Sequence, residues 1–149
     1  MAAEFPEIAS FGTLCKYALA LDTNAADLLE QAAAHGACAA HQAALSAMAQ
    51  KHTRRVKDLE RLARERLNEV ILQPLAGMSR EEYLPLTALG SDDAAGILTA
   101  LAGLERLSAR FYGDAAERAV NLLGGLDRTF KRFVQEDLKR AQSLKALAG

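Results

Sequence analysis

Apolar residues return every three or four positions along four long stretches of the chain, the period of a helix with one buried face. The first runs from about Thr13 to His35, with Leu14, Ala18, Leu21, Ala25, Leu28 and Ala32 in line and Gly36 as a C-cap. The second, from about Cys38 to Val70, carries Leu45, Met48, His52, Arg55, Leu59 and Leu62 on a heptad-like seam. The third runs from a cap at Ser91 or Asp92 to about Val120 and aligns Ile97, Leu101, Leu104, Ser108, Phe111 and Ala115. After a turn at Gly124-Gly125, the fourth starts near Asp127 and reaches about Leu147 along Phe130, Phe133, Asp137, Arg140 and Leu144. No stretch shows the period-two alternation of a strand.

Between the second and third stretches, Pro74, Gly77, Pro85 and Gly90 punctuate residues 71–91, and Ser79-Arg80-Glu81-Glu82 matches a capping box over one short helix. A connection of that length can cross from one end of a bundle to the other, which a tight turn cannot. The pattern therefore predicts one all-α domain over residues 1–149, an antiparallel four-helix bundle. Its parts are a helix pair over about 13–70, a crossover over about 71–91 between helices 2 and 3, and a second pair over about 92–147.

The seams are not wholly apolar, and their polar positions repeat. Asp22 on the first helix corresponds to Glu105 on the third, 83 residues later. His52-Thr53-Arg54-Arg55 on the second corresponds to Asp137-Leu138-Lys139-Arg140 on the fourth, 85 residues later. Every helix thus brings an ionisable group to the inward face at a similar height. An unpaired buried charge costs several kcal/mol, so these groups must answer one another or a bound cation.

This layout, over roughly residues 13–147, resembles the ferritin-like superfamily and rubrerythrin-like proteins in particular. The best local match is Leu104-Glu105 through Phe111-Tyr112, similar to that family's third-helix glutamate with its aromatic pair seven residues on. The resemblance implies a ferritin-like bundle in which two helices each supply a carboxylate and two each supply Glu-x-x-His, together holding two iron or manganese ions. Glu105 matches one single-carboxylate position and Asp22, with a shorter acid, the other. The paired positions depart from the pattern: Arg55 and Arg140 stand where histidines are expected, and His52 stands for one glutamate. Arginine stays protonated and has no lone pair to give a metal.

Two expectations follow. In the first, the di-iron site is replaced by a core salt-bridge network in which Arg55 and Arg140 pair with Asp22, Glu105 and Asp137. The chain then carries no cofactor and has a binding or structural role. In the second, Asp22, His52, Glu105 and Asp137 hold iron or manganese beside the Tyr112 phenol, giving a metal-dependent oxidoreductase of rubrerythrin type or an iron-handling protein. No CxxC pair is present for the rubredoxin module of full rubrerythrins. The resemblance also implies a homodimer of side-by-side helix pairs, and the small-molecule ligand is left unnamed.

Composition narrows the classes. The net charge is −1, which gives no footprint for nucleic acid or an anionic membrane. Arg54, Lys57, Arg61 and Arg64 read as a solvated face balanced by Asp58, Glu60 and Glu65. No apolar run is long enough to span a bilayer, and Met1 to Pro6 lacks a signal-peptide pattern, so the expected compartment is the cytoplasm. Cys15 and Cys38 form no CxxC and read as small buried hydrophobes. His35 and His41 read as solvated or structurally bonded rather than as ligands, His35 favoured by a helix C-terminus. The sequence has no Gly-rich phosphate loop following a strand, no HExxH and no nucleophile elbow, so a nucleophilic hydrolase is not expected.

Overall fold

Residues 4–65, 74–120 and 125–149 are described by the structure, a computed structural model. Among them the chain is all-α: α1 Phe11–Ala34, α2 Gln42–Glu65, α3 Ala94–Ala119 and α4 Leu126–Ala148, with short 3-10 turns at Gly36–His41 and Arg80–Tyr83. No strand occurs among these residues beyond an isolated bridge between Ser10 and Pro74.

The helix starts follow from local chemistry. Ser10 caps α1, its hydroxyl accepting the Thr13 N–H at 3.2 Å while the Thr13 hydroxyl accepts the Ser10 N–H at 2.9 Å. That capping box sets the start at Phe11. Asp93, rather than Ser91 or Asp92, caps α3 by accepting the Gly96 N–H at 2.6 Å. Before α4, Gly125 adopts φ 90°, a left-handed conformation that glycine enters without strain.

Between α1 and α2 the outcome differs from the periodic reading. The C-cap is His35, in extended conformation, and its ring Nδ1 accepts the Ala37 N–H at 3.0 Å. Gly36–His41 then forms a 3-10 turn in which Cys38 leaves helical geometry and becomes buried, so α2 begins at Gln42 instead of near Cys38. The expected continuation of α2 to Val70, the first residues of the crossover, and Gly124 lie outside the described residues.

α1 packs along α2, α3 packs along α4, and α1 touches α3. Two apolar zones fill the interior. One is rich in rings, with Phe11, Tyr17, Tyr83, Phe111, Phe130 and Phe133; the other is aliphatic, with Leu28, Leu45, Ile97, Leu101 and Leu144. Each such buried side chain contributes about 1.5–3 kcal/mol. Abundant buried alanines on α1 and α3 keep the helices close. Cys15 and Cys38 are buried and unpaired, and burial pushes the Cys15 thiol up to about 11.

The crossover is fastened to α1 and α3. Asn24 donates to the Leu86 carbonyl at 2.7 Å, and Tyr83 donates to Asp114 at 2.6 Å. Arg118 donates to the carbonyls of Ala76, Gly77 and Asp114, each at 3.0 Å. Its guanidinium lies so close to Gly77 that a Cβ there would fall 2.4 Å from Nη2. The capping box expected at Ser79 takes another form. The Ser79 hydroxyl donates to the Glu82 carboxylate at 3.2 Å and caps no backbone N–H. On the outer face Arg61 pairs with Asp58, one turn earlier on α2, at 3.3 Å. No helix among the described residues is long and apolar enough to cross a membrane.

Candidate functional site

A polar layer separates the two apolar zones. Along α1 the ring-rich zone ends at Leu21 and the aliphatic zone begins at Ala25, with Asp22 between them. The same change falls between Ala49 and Leu59 on α2, where His52 and Arg55 sit, and between Leu104 and Phe111 on α3, where Glu105 and Ser108 sit. Asp137 and Arg140 complete the layer from α4. Asp22, His52 and Asp137 have no exposure, and Arg55, Glu105, Ser108 and Arg140 are buried. All six ionisable groups expected at the site are thus brought together.

His52 bridges two carboxylates, with Nδ1 2.6 Å from Asp22 and Nε2 2.7 Å from Glu105. Arg55 donates through Nη1 to Asp137 at 2.7 Å and to Asp22 at 3.3 Å. Its Nη2 reaches Glu136 at 2.9 Å and the Phe133 carbonyl at 3.4 Å. The guanidinium carbon also lies 4.4 Å from the centre of the Phe133 ring, a cation–π contact. Arg140 donates from Nε to Glu105 at 3.1 Å and from Nη2 to Asp137. Tyr112 donates its hydroxyl to Asp22, and Ser108 donates to Asp137 at 2.6 Å.

Tyr112 thus serves Asp22 directly while its ring packs against Phe111, Phe130 and Phe133. Ser108 and Glu136 were not singled out by sequence as members of the network. Ser108 was legible in principle, because it lies one turn after Glu105 on the same seam. Glu136 was not, because it is largely exposed and reaches inward only through Arg55.

The electrostatics favour ion pairs. Burial opposes the charge on His52, but Glu105 and Asp22 outweigh it and push the imidazole up to about 9. Burial would raise Asp22, yet the Arg55 charge and bonds from His52 and Tyr112 hold it below the ordinary carboxylate range. Glu105 is lowered in spite of burial by His52 and Arg140. Asp137 is the exception: burial, helped by Glu105 and Asp22, pushes it up to about 6 against the pull of Arg55. At neutral pH the layer holds three carboxylates, two guanidiniums and one imidazolium, a balance of zero. Among the described residues, no buried side-chain nitrogen or oxygen lacks a hydrogen-bond partner.

These residues do not fit the metal pair that the family resemblance implies. Both ring nitrogens of His52 are engaged by carboxylates, and a guanidinium occupies the histidine place on α2 and on α4. A cation entering here meets two fixed positive charges, and every oxygen of Asp22, Glu105 and Asp137 already accepts a hydrogen bond. The nearest approach to a ligand set is His52, Glu105 and Asp137, whose donor atoms lie within 4.8 Å of one another. Asp22 is not part of that group.

No protein-family model, curated protein or solved structure matches this chain.

Proposed function

We propose that the chain is a ferritin-like, antiparallel four-helix bundle in which a charge-balanced salt-bridge network takes the place of a metal centre. Its role is structural or ligand-binding rather than catalytic. One observation carries this reading. Arg55 and Arg140, at equivalent places in the two helix pairs, lie on the three buried carboxylates and, with His52, neutralise them. Two divalent ions would supply positive charge to such carboxylates; here side chains supply it, so the carboxylates remain satisfied without metal.

Metal analysis of the purified, dialysed protein tests the proposal. Iron and manganese are expected far below stoichiometric amounts, and near-stoichiometric retention of either overturns it. The second reading, a metal-dependent oxidoreductase on Asp22, His52, Glu105 and Asp137 with Tyr112 nearby, draws support from the 4.8 Å cluster. It requires that His52→Ala abolish metal retention, a loss that the network reading does not expect because no metal is held to begin with.

A further inference from the structure

Lys51 and Arg54 on α2 and Lys139 on α4 are exposed cations with no hydrogen bond or ion pair to any described residue. All three line a groove of about 560 Å³ between α2 and α4 whose floor includes Arg55 and Arg140. With Arg132 the groove collects six cationic side chains against two acids, in a chain of net charge −1. Both acids are already engaged: Asp58 with Arg61 at 3.3 Å, and Glu136 with Arg55 at 2.9 Å and Arg132 at 3.7 Å. The unanswered charge therefore belongs to Lys51, Arg54 and Lys139.

Arg140 adds a directed donor. Its Nε and Nη2 are fixed on Glu105 and Asp137, while Nη1 has no partner in the described residues. Among the described residues no fully buried side-chain nitrogen is unpartnered, so Nη1 is not fully buried, and Arg140 lines the groove. A guanidinium immobilised on one side loses little freedom on gaining a ligand on the other. One to two helical turns before Lys51, Ala44 and Met48 make the same groove wall apolar.

We propose that this groove binds a small organic anion, a carboxylate with a short apolar body. Its head lies on Arg140 Nη1 between Lys51 and Lys139, and its body lies along Ala44 and Met48. The groove volume falls in the range of small-molecule sites, and the pairing of fixed guanidinium with carboxylate repeats the chemistry that Arg140 already shows toward Glu105.

Calorimetric titration of the full chain with octanoate tests the proposal, with acetate and octylammonium as controls. Octanoate is expected to bind at least about tenfold more tightly than acetate, octylammonium not at all, and salt to weaken the octanoate isotherm. The double variant Lys51→Glu/Lys139→Glu is expected to weaken octanoate at least about tenfold and leave the ligand-free thermal midpoint unchanged, because both residues are exposed and unpaired. If charge reversal lowers that midpoint, Lys51→Gln/Lys139→Gln is read instead. The proposal is overturned by octanoate binding no better than octylammonium or acetate, or by binding that ignores these substitutions. A free chain whose dimer the same substitutions dissolve also overturns it, since the groove is then a subunit interface. Metal content and the octanoate isotherm are measured separately, so this site and the metal-free network fail independently.

Discussion

The α1–α2 half and the α3–α4 half bring matching residues to the polar layer but use them differently. In the first half His52 and Arg55 both reach outside their own helix pair, His52 to Glu105 and Arg55 to Asp137 and Glu136. In the second half Arg140 stays at home, on Glu105 and Asp137. The first half therefore supplies the cations that tie the halves together, and the second supplies the carboxylates that receive them. Equivalent positions in a repeat need not carry equivalent energy, because the worth of a buried charge depends on which partners are left behind when it goes.

The largest test of this asymmetry is Arg55→Leu. It strips Asp22 and Asp137 of a shared cation and is expected to cost about 3–5 kcal/mol in urea denaturation. Arg140→Leu is expected to cost less, about 2 kcal/mol, since Arg55 remains on Asp137 and His52 remains on Glu105. Equal losses would show that the two halves are energetically interchangeable.

His52 sharpens the comparison through pH. Its folded value, about 9, lies above the ordinary histidine value near 6.5, so protonation favours the fold. That contribution is complete below about pH 6.5 and is lost as pH rises through about 9, roughly 3 kcal/mol in all. Asp137, raised to about 6, works in a lower window: protonation also favours the fold there, so its effect is an erosion of stability from about pH 4 to 6. Asp22 and Glu105, both lowered, add stability that disappears as acid protonates them. Denaturation midpoints across pH 6–9.5 should decline in the native chain and stay nearly flat in His52→Gln. A native profile without that decline would falsify the charged His52 bridge.

Smaller effects separate the interior of the layer from its rim. Ser108→Ala removes a buried donor to Asp137 and is expected to cost about 1–2 kcal/mol. Glu136→Gln, at a 44% exposed side chain, is expected to change stability by less than about 0.5 kcal/mol even though Glu136 also bonds Arg55. A loss above that of Ser108→Ala would place Glu136 among the interior carboxylates.

Much of this was legible in the chain. Repeated polar positions on apolar seams marked Asp22, His52, Arg55, Glu105, Asp137 and Arg140 as facing inward, because a helical stripe cannot bury its apolar members and leave those between them outside. The 3-10 turn at Gly36–His41 was not legible, since alanine-rich sequence is equally at home in a longer α2. Nor was the reading of Arg54 as part of a solvated face complete, because its place beside the groove depends on where α4 lies. Lys139 on α4 comes to share a groove with Lys51 on α2 only through packing.

Four amphipathic helices whose buried faces enclose a cluster of charges follow from the periodicity of the chain and the cost of an unpaired buried ion. The pairing of those charges depends on how the helices pack. With three acids and three bases within one layer, many neutral combinations exist, and side-chain reach across the interior selects His52 on Asp22 and Glu105, Arg55 on Asp137, and Arg140 on Glu105 and Asp137. The same reach leaves one nitrogen of Arg140 outside the network, a donor that no spacing along the chain reveals.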